Sequence, residues 1–143
     1  MATILIVDEN PGTRQFFAEE LVLQGHTVIA IGDGVGVDKV VRFSWLDLII
    51  LDLYLKGQHR WDLLMEIKQQ DPSLAILLLT EFDHYQMDPR LSLTDGLLTK
   101  SWESAPFLQK VAQLLRQSQA RPMLAGSYRK RTSPLRVEGI GTH

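Results

Sequence analysis

Five short apolar runs divide the sequence and constrain its fold more than any other feature. Each run holds four or five residues and is continuous, so that apolar and polar residues do not alternate along it. They cover residues 4–7, 27–30, 48–51, 75–79 and 96–99. Continuous apolar strands are typical of a parallel sheet that is covered by helices on both faces. The pattern therefore predicts five buried parallel strands.

The segments between these runs have helical character. Asn10 can cap a helix that begins at Pro11, and Gly25 can end it. Apolar residues at helical spacing mark two later segments: Leu63, Leu64 and Ile67, and then Phe107, Leu108, Val111, Leu114 and Leu115. Strands and helices thus alternate five times, which predicts a doubly wound α/β domain with right-handed crossovers.

The fourth helix, between Thr80 and Thr94, has the weakest pattern. The dipeptide Asp88-Pro89 lies in its middle, and few apolar residues could anchor it. Proline removes a backbone donor and clashes with the preceding turn of a helix. We therefore expect this helix to be short or broken.

Length, charge and composition fit one domain followed by a tail. The chain has 143 residues and no cysteine, which excludes thiol catalysis and disulfides. Residues 1–119 carry 10 basic and 16 acidic residues, whereas residues 120–143 carry 5 basic and 1 acidic residue and lack apolar periodicity. We expect one domain over 1–119 and a basic, flexible tail or linker over 120–143.

Two sequence features that the chain lacks, a membrane span and a secretory signal, bear on where the protein is located. No apolar run approaches the roughly 18 residues that a membrane span requires, and no basic stretch precedes the first apolar run as in a secretory signal. We therefore expect a cytoplasmic protein without a membrane anchor.

Polar residues follow four of the five strands. Asp8 and Glu9 follow the first, Asp52 the third, Thr80 ends the fourth and Lys100 follows the fifth. Ligands of such sheets bind outside the carboxyl ends of the strands, so these side chains should meet at one edge. Clustered carboxylates suit Mg²⁺, and a lysine can balance an incoming phosphate. The sequence thus predicts a magnesium-assisted phosphoryl site with a carboxylate as acceptor.

These motifs resemble the receiver domain of bacterial two-component response regulators (CheY-like) over residues 1 to about 119. The resemblance rests on four segments at strand ends: Ile6-Val7-Asp8-Glu9-Asn10, Asp47-Leu48-Ile49-Ile50-Leu51-Asp52-Leu53, Leu77-Leu78-Leu79-Thr80 and Leu98-Thr99-Lys100. It implies a flavodoxin-like, five-stranded parallel sheet of order 2-1-3-4-5, with helices on both faces.

The resemblance also implies a role for each residue at the edge. Asp52 would be the phosphoacceptor. It would receive the phosphoryl group from a histidine kinase, a phosphotransfer protein or a small phosphodonor. The Mg²⁺ ligands would be Asp8, Glu9, Asp52 and the backbone carbonyl of Tyr54. Thr80 and Lys100 would contact the phosphoryl oxygens, and movement of the Thr80 loop would carry the signal to an output protein or domain.

The sequence departs from the family pattern at several positions. Glu9 stands where aspartate is commoner, and Lys56 replaces the usual proline four residues after the acceptor. Glu81 follows Thr80 where a small residue is the norm and could repel a phosphodonor. Leu97 replaces the usual aromatic switch residue, and Ser101 replaces the proline after the lysine, so the usual cis peptide bond should be absent.

These departures leave a second hypothesis open. The domain could be a pseudo-receiver that is not conventionally phosphorylated and acts as a protein–protein docking module. A metabolic enzyme is not expected, since Asp8 and Glu9 would repel a flavin phosphate and Tyr54 replaces the second acid of aspartate-nucleophile phosphohydrolases. At most we expect magnesium-dependent self-phosphorylation and self-dephosphorylation. We expect no direct DNA binding, and the resemblance allows a homodimer.

Overall fold

The computed structural model describes residues 1–120, apart from the side chains of residues 83, 84, 119 and 120. Its central sheet contains five parallel strands: β1 (Thr3–Val7), β2 (Thr27–Ile31), β3 (Leu48–Leu51), β6 (Ala75–Thr80) and β7 (Gly96–Thr99). They lie in the order β2-β1-β3-β6-β7. Counted over these five strands alone, the order is 2-1-3-4-5, which confirms the prediction.

Within residues 1–120, four α-helices cover the sheet: α1 (Pro11–Leu23), α2 (Val37–Phe43), α3 (Trp61–Gln70) and α4 (Ser104–Ala120). One hydrophobic cluster lies between the sheet and α1 with α4, around Phe17 and Phe107. The second lies on the opposite face against α2 and α3, around Val40 and Leu64. Because successive residues in the centre of each strand enter opposite clusters, the strand centres are apolar on both faces.

The predicted limits of α1 are confirmed. The Asn10 side chain accepts hydrogen bonds from the backbone N–H groups of Gly12 and Thr13, and Pro11 occupies the first turn, where no donor is needed. Gly25, after the last turn, has a φ of +93°, which glycine adopts without steric cost. The Asn10 cap fixes the start of α1 directly after the first polar loop.

The fourth crossover contains no α-helix, as the weak sequence pattern indicated. Two 3₁₀-helices, Asp83–Met87 and Pro89–Leu93, replace it. Asp88 separates them and caps the second, accepting a hydrogen bond from the N–H of Arg90. Pro89 cannot continue the preceding turn, so the chain restarts there. The expected five regular βα repeats are therefore wrong at this crossover.

A short hairpin between β3 and α3 has no counterpart in the sequence prediction. Strands β4 (Tyr54–Leu55) and β5 (Gln58–His59) pair antiparallel and are joined by the two-residue turn Lys56-Gly57. Both turn residues have positive φ, 52° at Lys56 and 76° at Gly57. Positive φ at both positions defines the type I′ turn that suits a tight hairpin.

The division into a domain over 1–119 and a tail or linker over 120–143 stays a prediction. Helix α4 continues to Ala120, and the predicted tail beyond it lies outside the described residues. Within residues 1–120, no helix combines the length and apolar character needed to cross a bilayer.

Candidate functional site

The strand register brings Asp8 and Asp52 together at the carboxyl edge of the sheet. Val7 pairs with Leu51, and each aspartate directly follows the end of its strand. The Asp52 N–H donates to the Val7 carbonyl at 2.9 Å, which extends the β1–β3 pairing by one step. The predicted edge of polar residues therefore exists at the centre of the sheet, where neighbouring strands limit access to water.

Lys100 joins the two aspartates. Its Nζ lies 2.7 Å from Asp52 Oδ2 and 2.9 Å from Asp8 Oδ2. The side chains are 7%, 9% and 2% exposed for Lys100, Asp52 and Asp8 respectively, so water screens these charges little. The backbone also fixes Lys100, because its N–H donates to the Thr80 carbonyl at 2.7 Å.

The first loop supplies further partners to Asp8. Its Oδ1 accepts the Asn10 N–H at 3.0 Å, and its Oδ2 accepts the Thr13 hydroxyl at 2.8 Å. Arg14 Nη1 donates to the Asp8 carbonyl at 2.7 Å. Thr13 and Arg14 were not predicted from the sequence; their positions in the first turns of α1, three and four residues after Asn10, are the only signal that could have indicated them.

Burial and the ion pairs shift the pKa values of Asp52 and Lys100 in opposite directions. Burial raises the pKa of Asp52, while hydrogen bonds from Lys100 and the Tyr54 N–H, the latter at 2.9 Å, oppose that rise. Burial lowers the pKa of Lys100, but its hydrogen bonds to Asp52 and Asp8 and their charges outweigh burial, so this pKa is raised. Lys100 thus remains a cation and favours the ionised form of Asp52.

Thr80 is buried at the end of β6. Its hydroxyl oxygen accepts the Phe82 N–H at 3.0 Å, which closes a tight turn after the strand. A hydroxyl that accepts one hydrogen bond still has its own proton to donate. The next residue, Glu81, is exposed to solvent. Both lie on the predicted edge of the sheet.

Glu9 points elsewhere. Its Oε1 accepts a hydrogen bond from the Lys56 N–H in the hairpin turn. Across the part of the chain that the structure describes, no three His, Cys, Asp or Glu side chains form a group that could hold a metal ion. Carboxylate oxygens are suitable Mg²⁺ ligands. Asp8 and Asp52, which share the Lys100 ammonium group, supply such oxygens, whereas the Glu9 carboxylate is bound by the hairpin turn.

The remaining predicted positions lie around this edge. Leu97 is partly buried and packs against the cluster of α2 and α3. Ser101 is exposed, and its hydroxyl oxygen accepts the Glu103 N–H at 3.1 Å. No cis peptide bond occurs among the described residues, as expected from the replacement of proline by Ser101. Tyr54 contacts Asp52 through its backbone N–H.

An aromatic cluster beside the acceptor was missed by the sequence analysis. The Tyr54 ring lies 4.8 Å from the His59 ring and 5.0 Å from Phe82, and Tyr85 lies 5.3 Å from Trp61, centroid to centroid. His59 Nδ1 also hydrogen-bonds the Tyr85 hydroxyl. These aromatic residues are too irregularly spaced to reveal a cluster, since the hairpin and the first 3₁₀-helix bring them together.

The chain resembles known regulators in sequence. It is 28% identical over 119 residues to TcrX of Mycobacterium tuberculosis, a probable transcriptional regulatory protein, covering 81% of this chain and 50% of TcrX. It is 28% identical over 120 residues to the transcriptional regulatory protein CusR of Escherichia coli, covering 82% of this chain and 52% of CusR. The chain therefore spans about half the length of these two relatives.

Solved structures give the same result. TrrA of Thermotoga maritima, a response regulator crystallised with Mg²⁺ and BeF, superposes with a TM-score of 0.74 at 30% identity, covering 80% of this chain and 99% of TrrA. TrrA in complex with the histidine kinase ThkA superposes with a TM-score of 0.73 over the same shares. Residues 4–117 match the family described as response regulator receiver domain. The chain therefore belongs to the response regulator receiver domains of two-component systems.

Proposed function

We propose that Asp52 accepts a phosphoryl group from the phosphohistidine of a histidine kinase or phosphotransfer protein, or from a small donor such as acetyl phosphate. The observation that carries this proposal is the Lys100 ammonium group, which lies 2.7 Å from Asp52 and 2.9 Å from Asp8 in a buried site. Receiver domains are generally signalling domains without metabolic activity, so the phosphoryl group acts as the signal.

The reaction is a phosphoryl transfer between two groups that carry negative charge. A carboxylate oxygen of Asp52 forms a bond to phosphorus while the bond from phosphorus to the donor nitrogen or oxygen breaks. The donor leaves as imidazole or acetate, and Asp52 becomes an acyl phosphate. Lys100 lowers the barrier because its ammonium group reduces the repulsion between Asp52 and the incoming group.

Two other residues support the transferred group. Thr80 can donate its hydroxyl proton to a phosphoryl oxygen while it accepts the Phe82 N–H. Asp8, held by Asn10 and Thr13, is available with Asp52 as a ligand for Mg²⁺. When bound, Mg²⁺ supplies positive charge that neutralises the phosphoryl oxygens.

The partners are proposed from the comparisons. TrrA, which shares 30% of its residues with this chain, forms a complex with the histidine kinase ThkA. TcrX and CusR are transcriptional regulators about twice as long as the matched region. We therefore propose a sensor kinase or phosphotransfer protein as the donor, and a separate protein or an attached domain as the output.

The test is intact mass spectrometry after incubation with Mg²⁺ and acetyl phosphate. The wild-type protein should gain one phosphoryl group, and Asp52→Asn should gain none. Asp38→Asn, which changes an exposed acid in the first turn of α2, is the matched control and should behave as the wild type. Modification that persists in Asp52→Asn would show that Asp52 is not the acceptor.

A second candidate function is a docking module that does not take up phosphate. The hydrogen bond of the Glu9 carboxylate to the Lys56 N–H, which occupies a carboxylate expected to bind the ion, favours this alternative. The same mass measurement separates the two, because a docking module should gain no phosphoryl group from acetyl phosphate. Calorimetric titration with Mg²⁺ adds a second criterion, since a docking module has no need for a divalent ion.

A further inference from the structure

Two departures from the family pattern meet in one contact. Glu9 is longer by one methylene than the commoner aspartate, and Lys56 replaces a proline. In the structure, the Glu9 carboxylate accepts the hydrogen bond of the Lys56 backbone N–H, 47 positions along the chain. Proline has no N–H to donate. The two departures are therefore complementary, since Glu9 supplies the acceptor and Lys56 supplies an N–H that proline would lack.

The backbone of Lys56 is also incompatible with proline. Its φ of 52° lies in the left-handed region, which costs a non-glycine residue about 1–2 kcal/mol, whereas proline fixes φ near −65°. A hydrogen bond from an N–H to a charged carboxylate is among the stronger protein hydrogen bonds. It helps to offset the cost of this conformation at the tip of the hairpin.

The hairpin is attached directly to the acceptor. Tyr54, in its first strand, donates its N–H to Asp52 Oδ1 at 2.9 Å. The N–H of Arg60, after its second strand, donates to the Leu53 carbonyl at 2.8 Å and closes the segment next to Asp52. Movement of the hairpin would therefore move a hydrogen-bond donor of the acceptor carboxylate.

We propose that Glu9 is a positioning residue that holds the Tyr54–His59 hairpin beside Asp52 by binding the Lys56 N–H, and that it is not required as a Mg²⁺ ligand. This inference deepens the proposed function of Asp52 and rests on it. Asp8 and Asp52 remain the two carboxylates that fit the ion. Glu9 acts on the site through the backbone of the hairpin.

Two substitutions separate the positioning role from a ligand role. Glu9→Gln keeps an oxygen that can accept the Lys56 N–H but removes the charge, whereas Glu9→Ala removes both. By calorimetric titration, Glu9→Gln should weaken Mg²⁺ binding by less than about fivefold, the effect of one charge about 9 Å from a divalent ion in water. Asp8→Asn is the positive control and should weaken it by about tenfold or more, as expected for loss of a metal-site residue.

The second readout is amide hydrogen exchange at Lys56, which a ligand role would not change. Exchange should be about tenfold faster in Glu9→Ala, as expected for loss of a hydrogen bond to a charged group. Glu9→Gln, which keeps a neutral acceptor, should exchange at a rate between those of the wild type and Glu9→Ala. Thermal unfolding of each variant shows that it is folded under the conditions of the titration.

Either of two results would overturn the proposal. One is a loss of Mg²⁺ affinity in Glu9→Gln as large as that in Asp8→Asn. The other is an unchanged exchange rate of Lys56 in Glu9→Ala. A wild-type protein that takes up neither Mg²⁺ nor a phosphoryl group would contradict the proposed function instead, and the exchange rates would still decide the role of Glu9.

Discussion

Replacement of Lys100 by methionine should destabilise the domain strongly. The substitution keeps an apolar chain of similar length but removes the cation between Asp8 and Asp52. Both carboxylates are less than a tenth exposed, so water cannot replace the lost ammonium group. Removing one partner of a buried ion pair costs about 3–5 kcal/mol, because it leaves an uncompensated buried charge. We expect a loss of this size in the free energy of unfolding at pH 7.5 without divalent ions.

The same substitution should also change how the free energy of unfolding depends on pH. Burial already raises the pKa of Asp52, and loss of Lys100 would raise it further, so the carboxyl takes up a proton more readily. The folded variant then binds a proton more tightly than the unfolded chain does. Its stability should recover as the pH falls through this raised pKa. The difference between Lys100→Met and the wild type should therefore be smaller at pH 5 than at pH 7.5.

Urea denaturation followed by circular dichroism at the two pH values measures both effects. Lys39→Met, at an exposed position of α2, is the control and should change the free energy of unfolding by less than about 0.5 kcal/mol. The reasoning would be refuted if Lys100→Met were as stable as this control at pH 7.5. It would also be refuted by a destabilisation of equal size at both pH values.

Three further predictions concern the surroundings of the acceptor. Burial raises the pKa of Tyr85 from 10.0 to about 12, so its protonated form adds stability below pH 10 that is lost as the pH rises to about 12. In urea denaturation, the free energy of unfolding of Tyr85→Phe should therefore fall less steeply over this interval than that of the wild type. An equal slope would contradict this prediction. Lys56→Asn should raise the free energy of unfolding by about 1 kcal/mol, because asparagine before glycine suits a type I′ turn; an unchanged or lower melting temperature would count against this. Glu81→Ala should speed phosphorylation by acetyl phosphate about fivefold at low salt, because an exposed negative charge beside Thr80 is removed. This gain should disappear at high salt and be absent in Glu66→Ala, which changes an exposed acid on α3.

Much of the fold could be predicted from burial alone. A strand covered on both faces must be apolar throughout, so the five continuous runs located the five strands of the sheet. Asn10, Pro11 and Gly25 located the ends of α1, since each has a local backbone reason for its position. Because parallel strands end at the same edge, the residues that follow them also predicted where Asp8, Asp52, Thr80 and Lys100 would lie.

The details that the sequence did not reveal depend on contacts between distant segments. The strands of the hairpin have two residues each, too few for any periodic pattern, and Lys56 is an unusual residue for a turn with positive φ. Position after a strand indicates that Glu9 lies at the edge of the sheet but not where its carboxylate points. That direction depends on the Lys56 N–H, which only the folded hairpin brings within reach.

The charges at the edge explain why phosphorylation should depend on a divalent cation. Asp8, Asp52 and Lys100 together carry a net charge of −1 in the resting site. An aspartyl phosphate replaces one negative charge with about two, so the same site would carry about −2. Lys100 alone cannot neutralise this excess in a buried environment, and the two acids already share its ammonium group. A bound Mg²⁺ would return the sum to about zero, so uptake of a phosphoryl group from acetyl phosphate should fall when the ion is chelated beforehand, even though Lys100 remains in place.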